Sequence, residues 1–198
     1  MTRRPVLVIT GPSGAGKGTL IRTLVARLAV LEVAVSATTR PMRPGEEDSR
    51  EYWFLDDAEF DRRVESGAFL EYVPYVSGKR YGTLASEIDR IVGDGRVCVL
   101  ELELEGALTV QEQVPGSVTI FISADVTELE RRLRERATES TGEIGARIEL
   151  ARWQLEQAHR FRYMILNDDV ARAGAALAAV VETELSLAGA AAGTMPDS

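Results

Sequence analysis

Four groups of residues in this chain have the types and spacing to do chemistry. The first is the run Gly11-Pro12-Ser13-Gly14-Ala15-Gly16-Lys17-Gly18-Thr19. Its glycines let successive backbone N–H groups turn toward one point, and Lys17 can reach the outer phosphates of a nucleoside triphosphate. Loops of this kind usually carry Ser or Thr directly after the lysine to hold magnesium; here Gly18 stands there and Thr19 follows. The second group is Arg40 and Arg43, in a segment stiffened by Pro41 and Pro44. Two arginines three apart make a forked donor site for a phosphate dianion, to which Tyr52 and Tyr81 could add hydroxyls. The same arginines could instead pair with the acidic run Glu46-Glu47-Asp48. Third come Glu101, Glu103 and Glu105, closing the apolar run Val97-Cys98-Val99-Leu100. An acid at such a strand end can coordinate magnesium directly or through water. If the strand continues, alternation puts all three acids on one face, which favours a cation or a helix starting after 103. The fourth group is Arg132, Arg136 and Arg147, flanking a polar segment around Thr138–Glu143.

These groups need elements to hold them. The apolar run Val6–Thr10 reads as a strand, and Leu20–Leu28 as the body of a helix, so the glycine-rich run sits on a strand–turn–helix. Further strand-like runs fall at 33–36, 97–102, 118–123 and 163–166. Helical segments fall near 17–29, 84–93, 105–113, 127–136 and 143–160. Unalternating apolar strands separated by helices predict an α/β fold whose parallel sheet is covered on both faces. Residues 37–83 break this rhythm. They hold most of the aromatics and a Ser77-Gly78-Lys79 turn, and read as short strands with a helix around 57–66, inserted as a small lobe. The alanine-rich stretch 168–187 reads as a packing helix, and 188–198 as a frayed tail.

A length of 198 residues with 45% hydrophobic content suits one globular domain with a sizeable core. The net charge of −8 argues against nucleic acid as a partner. The absence of a long apolar run argues against a membrane anchor or signal peptide. The one cysteine, Cys98, allows no internal disulfide and suits a cytoplasmic location. The one histidine, His159, reads as a surface or packing residue, and no His/Cys spacing suggests a metal site.

With Phe69-Leu70-Glu71-Tyr72 and Arg80-Tyr81-Gly82-Thr83 added, the chain resembles the guanylate kinase family over about residues 5–185. The resemblance implies an ATP:GMP phosphotransferase, with GMP and dGMP as acceptors, Mg2+ as cofactor and a monomer or homodimer as assembly. It implies a GMP-binding lobe at 37–83, a lid at about 131–147, and a core formed by 1–36, 84–130 and 148–187. It assigns the monophosphate to Arg40, Arg43, Tyr52 and Tyr81, and guanine to Ser36, Glu71, Thr83 and Glu103. Guanine offers N1–H and an N2 amino group, and a carboxylate accepts from both, whereas adenine presents an acceptor at N1. The triphosphate falls to residues 11–19 and Arg132, the adenine side to Asn167, and the transferring group to Lys17, Arg136 and Arg147. Asn167 could equally cap the helix after it. Magnesium would rest mainly on phosphates and water, with Thr19 or Glu101 in its outer shell. The family usually shows Asp where this chain has Glu103, and often Gln where it has Glu105. The competing readings are a non-catalytic binding module of the same fold and a phosphate-loop kinase for another small acceptor.

Overall fold

The computed structural model describes residues 5–74, 78–136 and 141–193. Five strands form a wholly parallel sheet: β1 (Leu7–Thr10), β2 (Leu31–Val33), β7 (Val97–Glu101), β8 (Val118–Ser123) and β9 (Tyr163–Leu166). Their spatial order is β2-β7-β1-β8-β9. Strand β1 lies in the middle and is apolar on both sides because both sides are covered. Leu7 and Ile9 pack with Leu20 and Leu24 of α1 (Lys17–Arg27) and with Leu177 and Val181 of α7 (Val170–Gly193). Val8 packs the other way, with Ile91 of α3 (Ala85–Gly93) and Val110 of α4 (Leu104–Gln113). Cys98 lies in this second layer, fully buried, and burial pushes its thiol up to about 12. Two further helices, α5 (Val126–Arg136) and α6 (Thr141–Glu156), pack on each other, and a 3-10 turn at Gln157–Arg160 leads into β9.

A second sheet takes up the region between β2 and α3. Its order is β4-β3-β6-β5, with β3 (Ala37–Thr38), β4 (Trp53–Phe54), β5 (Phe69–Pro74) and β6 (Arg80–Leu84). Helix α2 (Asp57–Glu65) starts on Asp56, which accepts from the Glu59 N–H at 2.7 Å, a side-chain cap. The helix anchors on the sheet through Phe60, fully buried and stacked on Phe69 at 4.4 Å. The chain enters this sheet through Val35, whose N–H donates to Glu87 of α3 at 3.0 Å. Glu87 also accepts from Arg90, which bridges to Glu32 of β2, so α3 grips the crossing between the sheets.

The elements match the sequence expectation in kind, with four differences of position. Strand β2 covers 31–33 rather than 33–36, because its ladder with β7 ends where the chain turns toward the second sheet and frees Ser36. The strand holding the three acids stops at Glu101, and a helix begins at Leu104 with Glu103 in the cap position. Helix onset therefore separates the acids, and Glu105 faces solvent. The segment 143–160 splits into α6 and the 3-10 turn. Helix α7 runs to Gly193, six residues into the expected tail, while 194–198 and the Ser77 end of the expected turn lie outside the described residues.

Candidate active site

The phosphate loop connects β1 to α1, and its path is dictated by glycine. Gly11 has φ +146°, and a Cβ there would lie 2.1 Å from the Ile122 carbonyl oxygen of the neighbouring strand. Gly16 has φ +86° and opens α1 with no side-chain cap and no acid in the first turn. The positive end of the helix is thus left open to an anion. Lys17 folds back over the loop, its Nζ donating to the Gly11 carbonyl at 2.6 Å.

Beyond the loop lies a cleft of about 360 Å³ between the two sheets. The loop side contributes Lys17, Glu101 and Glu103, and α6 contributes Arg147. The second sheet and its approaches contribute Ser36, Arg43, Tyr52, Glu71, Tyr81 and Gly82. At the base of this wall Glu71 is only 6% exposed. Thr83, directly opposite on β6, donates from Oγ1 to Glu71 Oε1 at 2.7 Å. Burial raises the Glu71 carboxyl above its ordinary value, and the Thr83 hydrogen bonds pull it partly back. A buried carboxylate with a single side-chain donor has acceptor capacity to spare. Glu101 sits in the mouth of the cleft; desolvation raises its carboxyl, Lys17 draws it down, and Glu103 pushes it up.

Residues 2–184 match the family model for guanylate kinase. The chain is 39% identical over 180 residues to the guanylate kinase of Symbiobacterium thermophilum, covering 90% of this chain and 85% of that one. It is 42% identical over 174 residues to that of Rubrobacter xylanophilus, covering 87% and 91%. Among solved structures, guanylate kinase from Anaplasma phagocytophilum superposes with a TM-score of 0.72 at 25% identity, over 93% of this chain and 88% of that one. The chain belongs to the guanylate kinase family. It is accordingly a phosphotransferase.

Not every residue that the guanylate kinase resemblance assigns to a ligand faces the cleft. Arg40 does not line it. Its guanidinium forks onto Glu46 at 2.8 and 2.9 Å and stacks over Tyr52 and Phe54 at 5.2 and 5.4 Å. Glu46 also accepts from the Arg43 N–H at 2.8 Å, so the acidic run does claim an arginine, through its first member. Thr83 is buried behind Glu71 and touches it rather than the open space. Arg132 reaches back from α5 to the Gly14 carbonyl at 3.1 Å while Glu128 holds its Nε at 2.7 Å. It props the loop from outside. Thr19 is exposed, and its hydroxyl accepts from Arg22 at 3.2 Å. Asn167, expected on the adenine side, is 2% exposed; its Nδ2 donates to the Ala15 carbonyl at 2.7 Å, while its Oδ1 has no partner among the described residues. Arg136 ends α5, and its side chain lies outside the described residues.

Gly82 and Gly106 are space-makers that the sequence did not reveal, whereas the pairing of an arginine with Glu46 was one of the two readings it left open. A Cβ on Gly82 would lie 2.7 Å from the Glu71 carbonyl and 2.8 Å from the Phe69 ring. The signal for Glu46 was present, since it closes the same Arg-Pro-Met-Arg-Pro-Gly-Glu run. Among the described residues no group of three or more His, Cys, Asp or Glu is disposed to hold a metal, and no helix is long and apolar enough to cross a membrane.

Proposed function

We propose that this chain transfers the γ-phosphoryl group of ATP to GMP, reversibly, giving ADP and GDP, and that it accepts dGMP as well. One observation carries the reading: Lys17 and Arg147 stand on one side of a single cleft whose other side ends in the buried Glu71–Thr83 pair. Guanine would donate N1–H and N2–H to Glu71, with Ser36 and Glu103 at its edges. Arg43, Tyr52 and Tyr81 would take the monophosphate, with Arg40 oriented beside them by Glu46. An oxygen of that phosphate attacks the γ-phosphorus, and the bond to the β–γ bridging oxygen breaks with its electrons leaving on ADP. No general base is needed, because the attacking phosphate is already an anion. Lys17, Arg147 and Arg136 would stabilise the charge on the equatorial oxygens.

Magnesium, arriving with ATP, would supply a further charge on the β- and γ-phosphates. Glu101 fits as the chain's own contribution, since its carboxylate borders the space beside Gly18, 3.7 Å from where a Cβ would lie, with the Arg22 guanidinium at 3.4 Å. We read 37–83 as the acceptor lobe and about 131–147 as a lid whose closure excludes water from the transfer. We read the assembly as a monomer or a homodimer, and a cytoplasmic location fits the single buried thiol.

Mg-dependent ADP formation from ATP, measured in parallel with GMP, dGMP, AMP, UMP and ribose phosphates, tests this. GMP and dGMP should exceed AMP by about a thousandfold or more in kcat/KM. Binding of GMP without turnover would leave only a binding module, and comparable use of AMP or a sugar phosphate would remove the guanine site.

A further inference from the structure

Gly106 lies in the first turn of α4, three residues after the cap position at Glu103. Glycine weakens a helix relative to alanine, and here its conformational freedom is not used, because Gly106 is absent from the positive-φ residues. What the position uses is space. A Cβ on Gly106 would lie 2.4 Å from Glu71 Oε2 and 3.0 Å from its Cδ. Oε1 of the same carboxylate is held by Thr83 at 2.7 Å. One oxygen is thus fixed by a hydrogen bond, and the other occupies the space beside the bare backbone of a helix, whose N-terminal end also favours a negative charge. Helix α4 packs along β5, so to clear an added methyl group the Glu71 carboxylate would have to swing into the cleft and away from Thr83.

We propose that Gly106 is a specificity-determining positioning residue, whose missing side chain lets Glu71 seat its carboxylate where a purine bearing donors at N1 and N2 can meet it. The proposal rests on the guanine role given to Glu71 above. It reaches a residue outside the cleft lining, and it assigns acceptor selectivity in part to α4 rather than to the second sheet alone.

A double-mutant cycle on the full-length protein tests it, with Gly106→Ala introduced into the natural chain and into Glu71→Ala. In the natural chain Gly106→Ala should raise the KM for GMP about tenfold or more while the KM for ATP stays within about twofold. In the Glu71→Ala background it should change the KM for GMP by less than about twofold. Melting temperature gives a readout that does not depend on the substrate. Gly106→Ala should lower it in the natural chain and leave it unchanged or raise it beside Glu71→Ala, where the better helix former has room. Equal effects in both backgrounds, on KM and on melting, would overturn the proposal, as would an unaltered KM for GMP in the single variant. If the natural chain does not use GMP at all, the guanine assignment fails by that result, and the melting cycle still decides whether Gly106 seats Glu71.

Discussion

The side-chain amide of Asn167 donates to the carbonyl oxygen of Ala15 at 2.7 Å, tying the end of β9 to a phosphate loop 152 positions earlier in the chain. A Cβ on Gly16 would lie 2.4 Å from the same Nδ2, so loop and amide fit only because Gly16 is bare. Arg132 takes the Gly14 carbonyl from the other side at 3.1 Å. With two consecutive carbonyls engaged outside the loop, its geometry is set before any nucleotide arrives, which is the preorganisation an anion site requires.

Asn167→Ala should therefore act on the donor nucleotide without touching it. Loss of one buried hydrogen bond is expected to raise the KM for ATP about fivefold and leave the KM for GMP unchanged. Steady-state kinetics with each substrate varied in turn measures both. An equal rise for GMP would mean that the substitution loosens the whole fold instead.

Glu46 holds Arg40 by both oxygens, and Arg40 stacks on Tyr52 and Phe54. Glu46→Ala should release the guanidinium from this geometry and raise the KM for GMP about threefold to tenfold, with the KM for ATP unaffected. Arg40→Lys should not restore function, since an ammonium lacks the planar fork. A lower KM for GMP in Glu46→Ala would show that the carboxylate competes with the phosphate rather than orienting its arginine.

The Glu71 carboxyl is raised by burial above its ordinary value of 4.5. The folded protein thus binds this proton more tightly than the unfolded chain does. The contribution of Glu71 to stability is greatest when it is protonated, and it falls as pH rises from about 4.5 through the raised folded value. Glu71→Gln, which keeps the shape without the charge, should be at least as stable as the natural chain at pH 7 in thermal unfolding. Binding runs the other way, because guanine needs the ionised form. The KM for GMP should rise on acidification through the raised value, and this limb should vanish in Glu71→Gln, where GMP use is already weak. A persistent acid limb in that variant would assign it to another group.

Among the described residues Lys17 hydrogen-bonds to carbonyls of its own loop, at 2.6 and 3.4 Å, and not to another element, so its removal should spare the fold. Lys17→Ala is expected to lower kcat about a hundredfold or more with an unchanged melting temperature. Arg147→Ala should lower kcat more than it raises the KM for ATP, as fits a group acting on the transferring phosphoryl. Rapid-quench measurement of the chemical step distinguishes this from slower product release.

The features legible in the sequence were those that local chemistry fixes. The strand–loop–helix at 6–28 could be read because glycine spacing, apolar runs and turn geometry all act within a few residues. Glu71 could be singled out through the family resemblance that Phe69-Leu70-Glu71-Tyr72 carries, and a buried carboxylate in such a run needs a partner, which Thr83 supplies. What stayed hidden depends on partners far along the chain. Asn167 gives the same sequence signal whether it caps a helix, meets adenine or braces a loop, and only the register of β9 beside β8 turns it toward Ala15. The face of Glu101, Glu103 and Glu105 hinged on where the strand stopped, and periodicity is silent about that until α4 is in place. Gly106 left no sign at all, since its meaning is an absence of atoms opposite a residue 35 positions away.

The burial of Cys98 has a practical reach. It is the chain's one sulfhydryl, it is fully enclosed, and its proton is held up to about 12, so at neutral pH it offers almost no thiolate to an electrophile. The natural protein is expected to be silent toward maleimides. A cysteine placed on α2 and another on α6 would be the only sites a fluorescent dye could label, and the distance between the two dyes could be followed as nucleotides are added, with the interior left as it is.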